Sequence, residues 1–364
     1  MRFHHSLADG LEGWTLEDAQ AELAPWLGRQ ALMLRSGFVL APVEMAPPYA
    51  LKATVSGGLR ECYVGFCFHL ADAENYETIY LAPQAGDRPT GIQYDPVING
   101  SNTWQVFGDA DGLAAGRLRP PLQSEHWHLL ALYVWADIAQ VHVDEDPSPK
   151  AVFPLRSGLR RGSIGLWGYL PSYVADFEVR PLSLPPPPFP EPKVAVPTGT
   201  VREWLVAQYD ERSQAFVGPR RARTEHNGTL CLNRLYRAPP RARAMAACDI
   251  DVPQRAGQAV LEVGYSDGGR VWWDDALSTR VNGGGTRLGQ MAGSNRGRSR
   301  FQCPPRRAAI VCGQRSPLRS PHSGGASPPV WSRMAYHVLG DRRPGSLCRK
   351  GFDPRSDLPA AKEY

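Results

Sequence analysis

No apolar run in this chain approaches the ~18 residues that a membrane-crossing helix needs, so no membrane partner is expected. The opening residues, Met1 to Gly10, contain His4, His5 and Asp9 and lack the apolar stretch of a secretory leader. The resulting expectation is a cytoplasmic protein, or one whose true start is missing. None of the seven cysteines forms a C-x-x-C pair, which removes the usual signal for a zinc ribbon or a thioredoxin-like redox site. Cys62 and Cys67 lie five apart, so on one strand they would face opposite ways and could not bridge. Free thiols in a reducing compartment are the expectation. A helical repeat is missing too: up to about residue 183, no segment of useful length carries apolar residues every three or four positions.

Proline and glycine are abundant instead. With 34 Pro and 36 Gly in 364 residues, the composition favours turn-rich β architecture or unstructured segments. The length suggests two or three domains. The net charge of +5 is a composite. From Arg280 to the end there are sixteen Lys/Arg and four Asp/Glu, which leaves twenty-five basic and thirty-two acidic residues on the rest. The chain is therefore a mildly acidic body with a strongly basic tail.

Strand patterns fill the first half. Tyr49–Ser56 alternates apolar and polar residues, and Cys62, Val64, Phe66, Phe68 and Leu70 would line one face of the next strand. Residues 126–135 and 138–144 flank a tight turn at Ala136-Asp137, and 163–170 and 173–182 complete the set. This spacing favours a sandwich or barrel over a βαβ fold. The run Pro185 to Pro188, then Phe189-Pro190-Glu191-Pro192, cannot donate to a sheet and prefers an extended spacer form. Beyond it, 229–235, 242–252 and 258–265 read as strands, with a turn at Asn227-Gly228. From about residue 277, Arg, Gly, Ser and Pro dominate and neither period survives. The expected organisation is all-β. A two-sheet jelly-roll sandwich spans 1–183 and a Pro-rich linker 184–198. A second, partial β-sandwich spans 199–276, and 277–364 is a disordered basic tail. That tail is either genuine or the product of a reading-frame shift near 268–285, which translation of the other two frames would reveal.

The stretch from Asn75 to Phe107 interleaves aromatic and amide residues on short strands. Tyr80, Gln93, Tyr94, Asn99, Asn102 and Trp104 are the types that stack on and hydrogen-bond to sugars. The same types also pack β-sheets, and Trp14, Trp127 and Trp167 read as core.

The segments Val64–Leu70, Asn75–Leu81, Gln93–Val97 with Asn99-Gly100, Trp104-Gln105, His126–His128, Val141–Asp144 and Gly162–Trp167 carry a family resemblance. Over residues 12–182 the chain resembles a laminin-G-like domain of the concanavalin A-like lectin/glucanase superfamily. That resemblance implies a two-sheet jelly roll whose concave face or rim loops bind glycans or protein ligands. More weakly, Val263–Val271 resembles part of a galactose-binding-like jelly roll. Calcium is common in that superfamily. Asp95, Asn99, Asp109 and Asp111 are oxygen ligands of the right kind, and turn-forming Asx residues are the competing reading. No other cofactor is expected.

Enzymatic readings were weighed on residue geometry. A retaining glycosidase needs two carboxyl groups about 5–5.5 Å apart. Asp72 and Glu74 would share a strand face, whereas Glu77 would point away. Gly264-Tyr265-Ser266-Asp267-Gly268 matches a nucleophile elbow, but that motif needs a helix after it and a strand pattern follows, so a hairpin turn fits better. The turn at Ala136-Asp137 sets His142 opposite Ala131, on the other face from His126 and His128, so no metal site is expected there. Cys303, Cys312, His322 and Cys348 have irregular spacing. The basic tail is the one segment suited to nucleic acid. The first expectation is a non-catalytic carbohydrate-binding protein. The alternatives are a glycoside hydrolase-type enzyme and a protein-interaction module without a small ligand.

Overall fold

The structure is a computed structural model. It describes residues 2–58, 61–85, 91–103, 115–116, 118–190, 200–210, 212–225, 228–237 and 243–249, together with the backbone of the strands at 258–265, 268–273, 276–282, 295–302, 307–313 and 335–339. The chain divides into two compact units, 1–194 and 195–364. Near the end of the first unit, residues 183–190 form no strand, and Leu184 and Phe189 are exposed.

The first unit is antiparallel throughout. Its strands are β1 (Phe3–Ser6), β2 (Thr15–Trp26), β3 (Arg29–Glu44), β4 (Tyr49–Gly57), β5 (Tyr63–Asp72), β6 (Asn75–Leu81), β7 (Ile92–Tyr94), β8 (Val97–Ile98), β9 (Ser101–Asn102), β10 (Ala115–Gly116), β11 (His128–Val134), β12 (Ile138–Val143), β13 (Ala151–Pro154), β14 (Ser163–Tyr169) and β15 (Ser172–Pro181). The hydrogen-bonded order is β10-β7-β6-β5-β14-β3-β15-β4-β11-β12-β13. Strand β3 belongs to both layers. Its first half pairs with β15 at Leu32–Leu34, and its second half pairs with β14 at Phe38–Leu40. Gly37 marks the switch with a φ of +78°, and a Cβ there would lie 2.5 Å from the Asp18 carbonyl oxygen, so only glycine fits without a shift. The layers meet through Phe66 against Phe177 at 6.2 Å, Tyr94 against Phe153 at 5.8 Å, and Tyr49 edge-on to His69 at 6.1 Å. This is the jelly-roll sandwich the alternation predicts.

The two longest strands, β2 and β3, carry no clean alternation in the sequence. They form a hairpin at Leu27-Gly28, where both residues have positive φ, the backbone that matches the twist of a two-residue hairpin. The expected single face of Cys62, Val64, Phe66, Phe68 and Leu70 needs correction. His69 has a φ of +48° and the β5–β6 register slips between Phe68 and Asp72. This bulge turns Leu70 to the opposite face, where it clusters with Phe38, Leu40, Cys67, Tyr76 and Val97. Cys62 lies ahead of the strand, and among the described residues Cys62, Cys67, Cys231 and Cys248 are buried and form no disulfide. The register between β11 and β12 sets Ala131 against His142, as the turn predicts.

The second unit contains β16 (Glu203–Asp210), β17 (Ala215–Arg223), β18 (Arg243–Asp249), β19 (Gln258–Tyr265), β20 (Gly268–Trp273), β21 (Ala276–Asn282), β22 (Asn295–Gln302), β23 (Arg307–Gly313) and β24 (Ala335–Leu339). They form one sheet ordered β17-β16-β18-β23-β20-β21 and another ordered β22-β19-β24. Three expectations change here. Residues 229–235 hold a short 3-10 turn, Leu232–Arg234, in place of a strand. Strands β19 and β20 lie in different sheets and do not pair with each other, as a hairpin would require. The boundary at 276–277 falls inside β21, and the basic segment contributes β22, β23 and β24, with β23 between β18 and β20. The rest of the tail lies outside the described residues, as do Cys303, His322 and Cys348.

Candidate functional site

Register decides which side chains share a face. In β5 and β6, Gly65 pairs with Tyr80 and Cys67 with Thr78, while Phe66 pairs with Ile79 and Phe68 with Glu77. Tyr80 pairs onward with Gln93, and Ile79 with Tyr94. On the other side, Trp167 pairs with Gly65, Tyr169 with Tyr63, and Gly165 with Cys67. One face of this layer therefore carries Tyr63, Cys67, Thr78, Tyr80, Gln93, Trp167 and Tyr169. The other carries Phe66, Phe68, Glu77, Ile79 and Tyr94, and packs into the sandwich.

The first of these faces, outward from the sandwich, carries an aromatic row beside the buried cluster of Phe38, Leu40, Cys67, Leu70, Tyr76 and Val97, against which Trp167 packs. Tyr80 and Trp167 flank Gly65 and stack at 4.7 Å with an interplanar angle of 28°. Gly65 makes this contact: a Cβ there would lie 2.5 Å from the Tyr80 Cα and 2.1 Å from the Ile79 carbonyl oxygen. Tyr63 meets Tyr80 edge-on at 5.6 Å and Tyr169 at 6.3 Å. The row runs from a buried floor to a wet rim. Tyr80 is 6% exposed, Tyr63 and Trp167 are half-buried, and Tyr169 is 37% exposed. The polar groups around it are matched. The Tyr80 hydroxyl donates towards Gln93 Oε1 at 3.2 Å and Asp95 Oδ2 at 3.4 Å, and the Tyr63 hydroxyl donates to Glu61. Burial, followed by the Asp95 charge, holds the Tyr80 phenol well above the usual tyrosine range.

The sequence-predicted residues divide between these surfaces. Tyr80 and Gln93 come together on the outward face. Tyr94 does not join them: it is 1% exposed, stacks on Phe153, accepts the Arg156 N–H and donates to Glu77 Oε2 at 2.7 Å. The reason is the pleat, which sends residues 93 and 94 to opposite faces. Asn99 is half-buried in the turn between β8 and β9, where its N–H donates to Asn75 Oδ1 at 3.0 Å. Asn102 falls in β9, and nothing further is described of its side chain. Trp104, Asp109 and Asp111 lie outside the described residues. Of the tryptophans read as core, Trp14 is buried, whereas Trp127 is half-buried with Arg29 over its ring at 5.4 Å.

Trp167, read as core, is half-buried and packs against the cluster of Phe38, Leu40, Cys67, Leu70, Tyr76 and Val97. Sequence reasoning missed Tyr63 and Tyr169. Their signal was the alternation of Gly165, Trp167 and Tyr169 against Ile164 and Leu166, which becomes a surface only once Gly65 is placed beside it.

The carboxylates weighed for acid–base work stand elsewhere. Asp72 Oδ1 accepts the Glu74 N–H at 2.8 Å and the Asn75 side-chain amide at 3.0 Å, a turn-forming role. Glu77 is fully buried and accepts the Tyr94 hydroxyl, the Ser157 hydroxyl and the Ser157 N–H, the last at 3.2 Å. His128 bonds Asp144 Oδ2 at 2.7 Å and the Gln123 carbonyl at 3.0 Å, while His142 bonds the Asp146 carbonyl at 3.1 Å on another face. Among the described residues, no group of three His, Cys, Asp or Glu could hold a metal ion. At the elbow-like motif, strands lie on both sides and Ser266 and Asp267 fall outside the described residues.

No protein-family model and no curated protein matches the chain. Among solved structures it is similar to the carbohydrate-binding module CBM66 from Bacillus subtilis. The identity is 13% and the TM-score 0.34, covering 45% of this chain and 91% of that one. It is also similar to domain 4 of AbnA, an extracellular arabinanase from Geobacillus stearothermophilus, in complex with arabinotriose. There the identity is 15% and the TM-score 0.33, covering 48% and 89%. A third is the VIP36 exoplasmic/lumenal domain, at 12% identity and TM-score 0.33, covering 48% and 86%. At these values the likeness carries no functional argument, and the fold rests on the strands described above.

Proposed function

We propose that the first unit binds carbohydrate without catalysis, a laminin-G-like module of lectin type followed by a galactose-binding-like jelly roll. One observation carries this reading: the Tyr80–Trp167 stack over Gly65, extended by Tyr63 to the exposed Tyr169. Sugar rings present C–H faces to aromatic faces, and the Tyr80 hydroxyl and Gln93 amide lie beside the row to orient hydroxyl groups. Asp72 serves a turn and Glu77 the core. Isothermal titration of the full chain against a panel of oligosaccharides, with and without calcium, tests the proposal. Trp167→Ala should weaken binding about two- to tenfold, the loss of one stacking partner. A flat titration with every saccharide overturns it, and release of reducing sugar would establish the hydrolase reading instead.

A second reading, a protein-interaction module without small ligand, has its own support. Tyr76, Tyr80 and Tyr94 are all buried, while Leu16, Leu23 and Leu27 are exposed on and beside β2. Loss of a protein partner on Leu23→Ser, with saccharide titrations flat, would favour it.

A further inference from the structure

We infer that the aromatic row selects a sugar carrying a protonated amine, a 2-amino-2-deoxy unit, over its neutral hydroxyl counterpart. This rests on the saccharide reading above. The row is edged by two phenol–carboxylate pairs, Tyr63 with Glu61 and Tyr80 with Asp95. Glu61 is exposed at the rim beside half-buried Tyr63, and Asp95 is buried behind Tyr80. The faces of tyrosine and tryptophan are themselves negative, and each attracts a cation placed within about 6 Å of its centre. Ring–cation contacts elsewhere in the first unit use Arg29 over Trp127. No described Lys or Arg lies over Tyr63, Tyr80, Trp167 or Tyr169. The ring faces and the exposed Glu61 thus present the same sign at the rim. An ammonium group on a stacked sugar meets the rings and Glu61, a hydroxyl group gains little from them, and a uronate is repelled.

The test is titration of the full chain, in mildly acidic buffer of low ionic strength, with a glucosamine oligomer and a glucose oligomer of equal length and linkage. These differ only in the C2 substituent. The expected result is about tenfold tighter binding of the glucosamine oligomer, the scale of one partly desolvated cation–π contact with a carboxylate nearby. Glu61→Gln should cut that preference to about threefold or less. Glu12→Gln, an exposed carboxylate ahead of β2, should leave it unchanged. Equal cuts in both variants would mark the preference as bulk charge and overturn the inference. Equal binding of the two oligomers would overturn it and leave the saccharide reading standing. Binding of neither would overturn both.

Discussion

Replacing Gly65 by alanine drives one methyl group against β6. The new Cβ would lie 2.1 Å from the Ile79 carbonyl oxygen, 2.5 Å from the Tyr80 Cα and 2.8 Å from the Tyr80 Cβ. Two of these atoms are backbone of the neighbouring strand, so relief requires β5 and β6 to part and not merely a side chain to turn. Overpacking of this kind costs about 1–3 kcal/mol. Separation also loosens the Tyr80–Trp167 stack, worth about 0.5–1.5 kcal/mol. The sum, about 2–4 kcal/mol, corresponds to a fall in Tm of about 5–15 °C for a unit of this size. Gly58→Ala is the matched control, because its Cβ would meet a single atom, Trp26 Cη2, at 3.9 Å; a change within about 0.5 kcal/mol is expected. Thermal unfolding followed by near-ultraviolet circular dichroism reads both. A Gly65→Ala protein that melts within about 2 °C of the parent refutes the account of the aromatic row as a consequence of the missing Cβ.

Two further outcomes follow from the interior. Glu77→Ala removes the shared acceptor of the Tyr94 hydroxyl and of both Ser157 donors; urea unfolding should show a loss of about 3–5 kcal/mol, and a loss under 1 kcal/mol would deny Glu77 its place between β6 and the loop after β13. His69 is fully buried, and desolvation, reinforced by the Arg160 charge, lowers its imidazole to about 4. The unfolded chain takes up that proton near the ordinary value of about 6.5, so the stability is complete above it and is lost as pH falls towards 4. The loss amounts to about 3 kcal/mol. His69→Asn, whose side chain tolerates the positive φ, should flatten the fall between neutral and acidic urea midpoints; an unchanged slope removes His69 as its source.

Strand existence was legible where apolar and polar residues alternate in the sequence, as in Tyr49–Gly57, and the Gln258–Tyr265 strand was legible too. It failed for β3, buried for much of its length, and for β2, whose exposed leucines blur the pattern. Of the candidate site, the sequence could offer residue types and nothing about sides. Tyr80 and Tyr94 look alike in the chain, yet one joins the aromatic row and the other enters the core, because Tyr80 pairs directly across from Gln93 while Tyr94 lies one pleat step beyond it. The bulge at His69 moved Leu70 across the sheet with no local mark, since positive φ in a histidine is imposed by the strands around it.

Alternation of apolar and polar side chains, punctuated by glycine and proline, was enough to make this an all-β chain with a proline-rich break. That information is local: each residue's affinity for water and each turn's backbone freedom are carried within a few positions. Which aromatic faces meet was settled only when β14 came to lie beside β5, about a hundred residues away, and set Trp167 opposite a glycine. Contact between distant strands is a property of register, and register is fixed by the packing of both layers together.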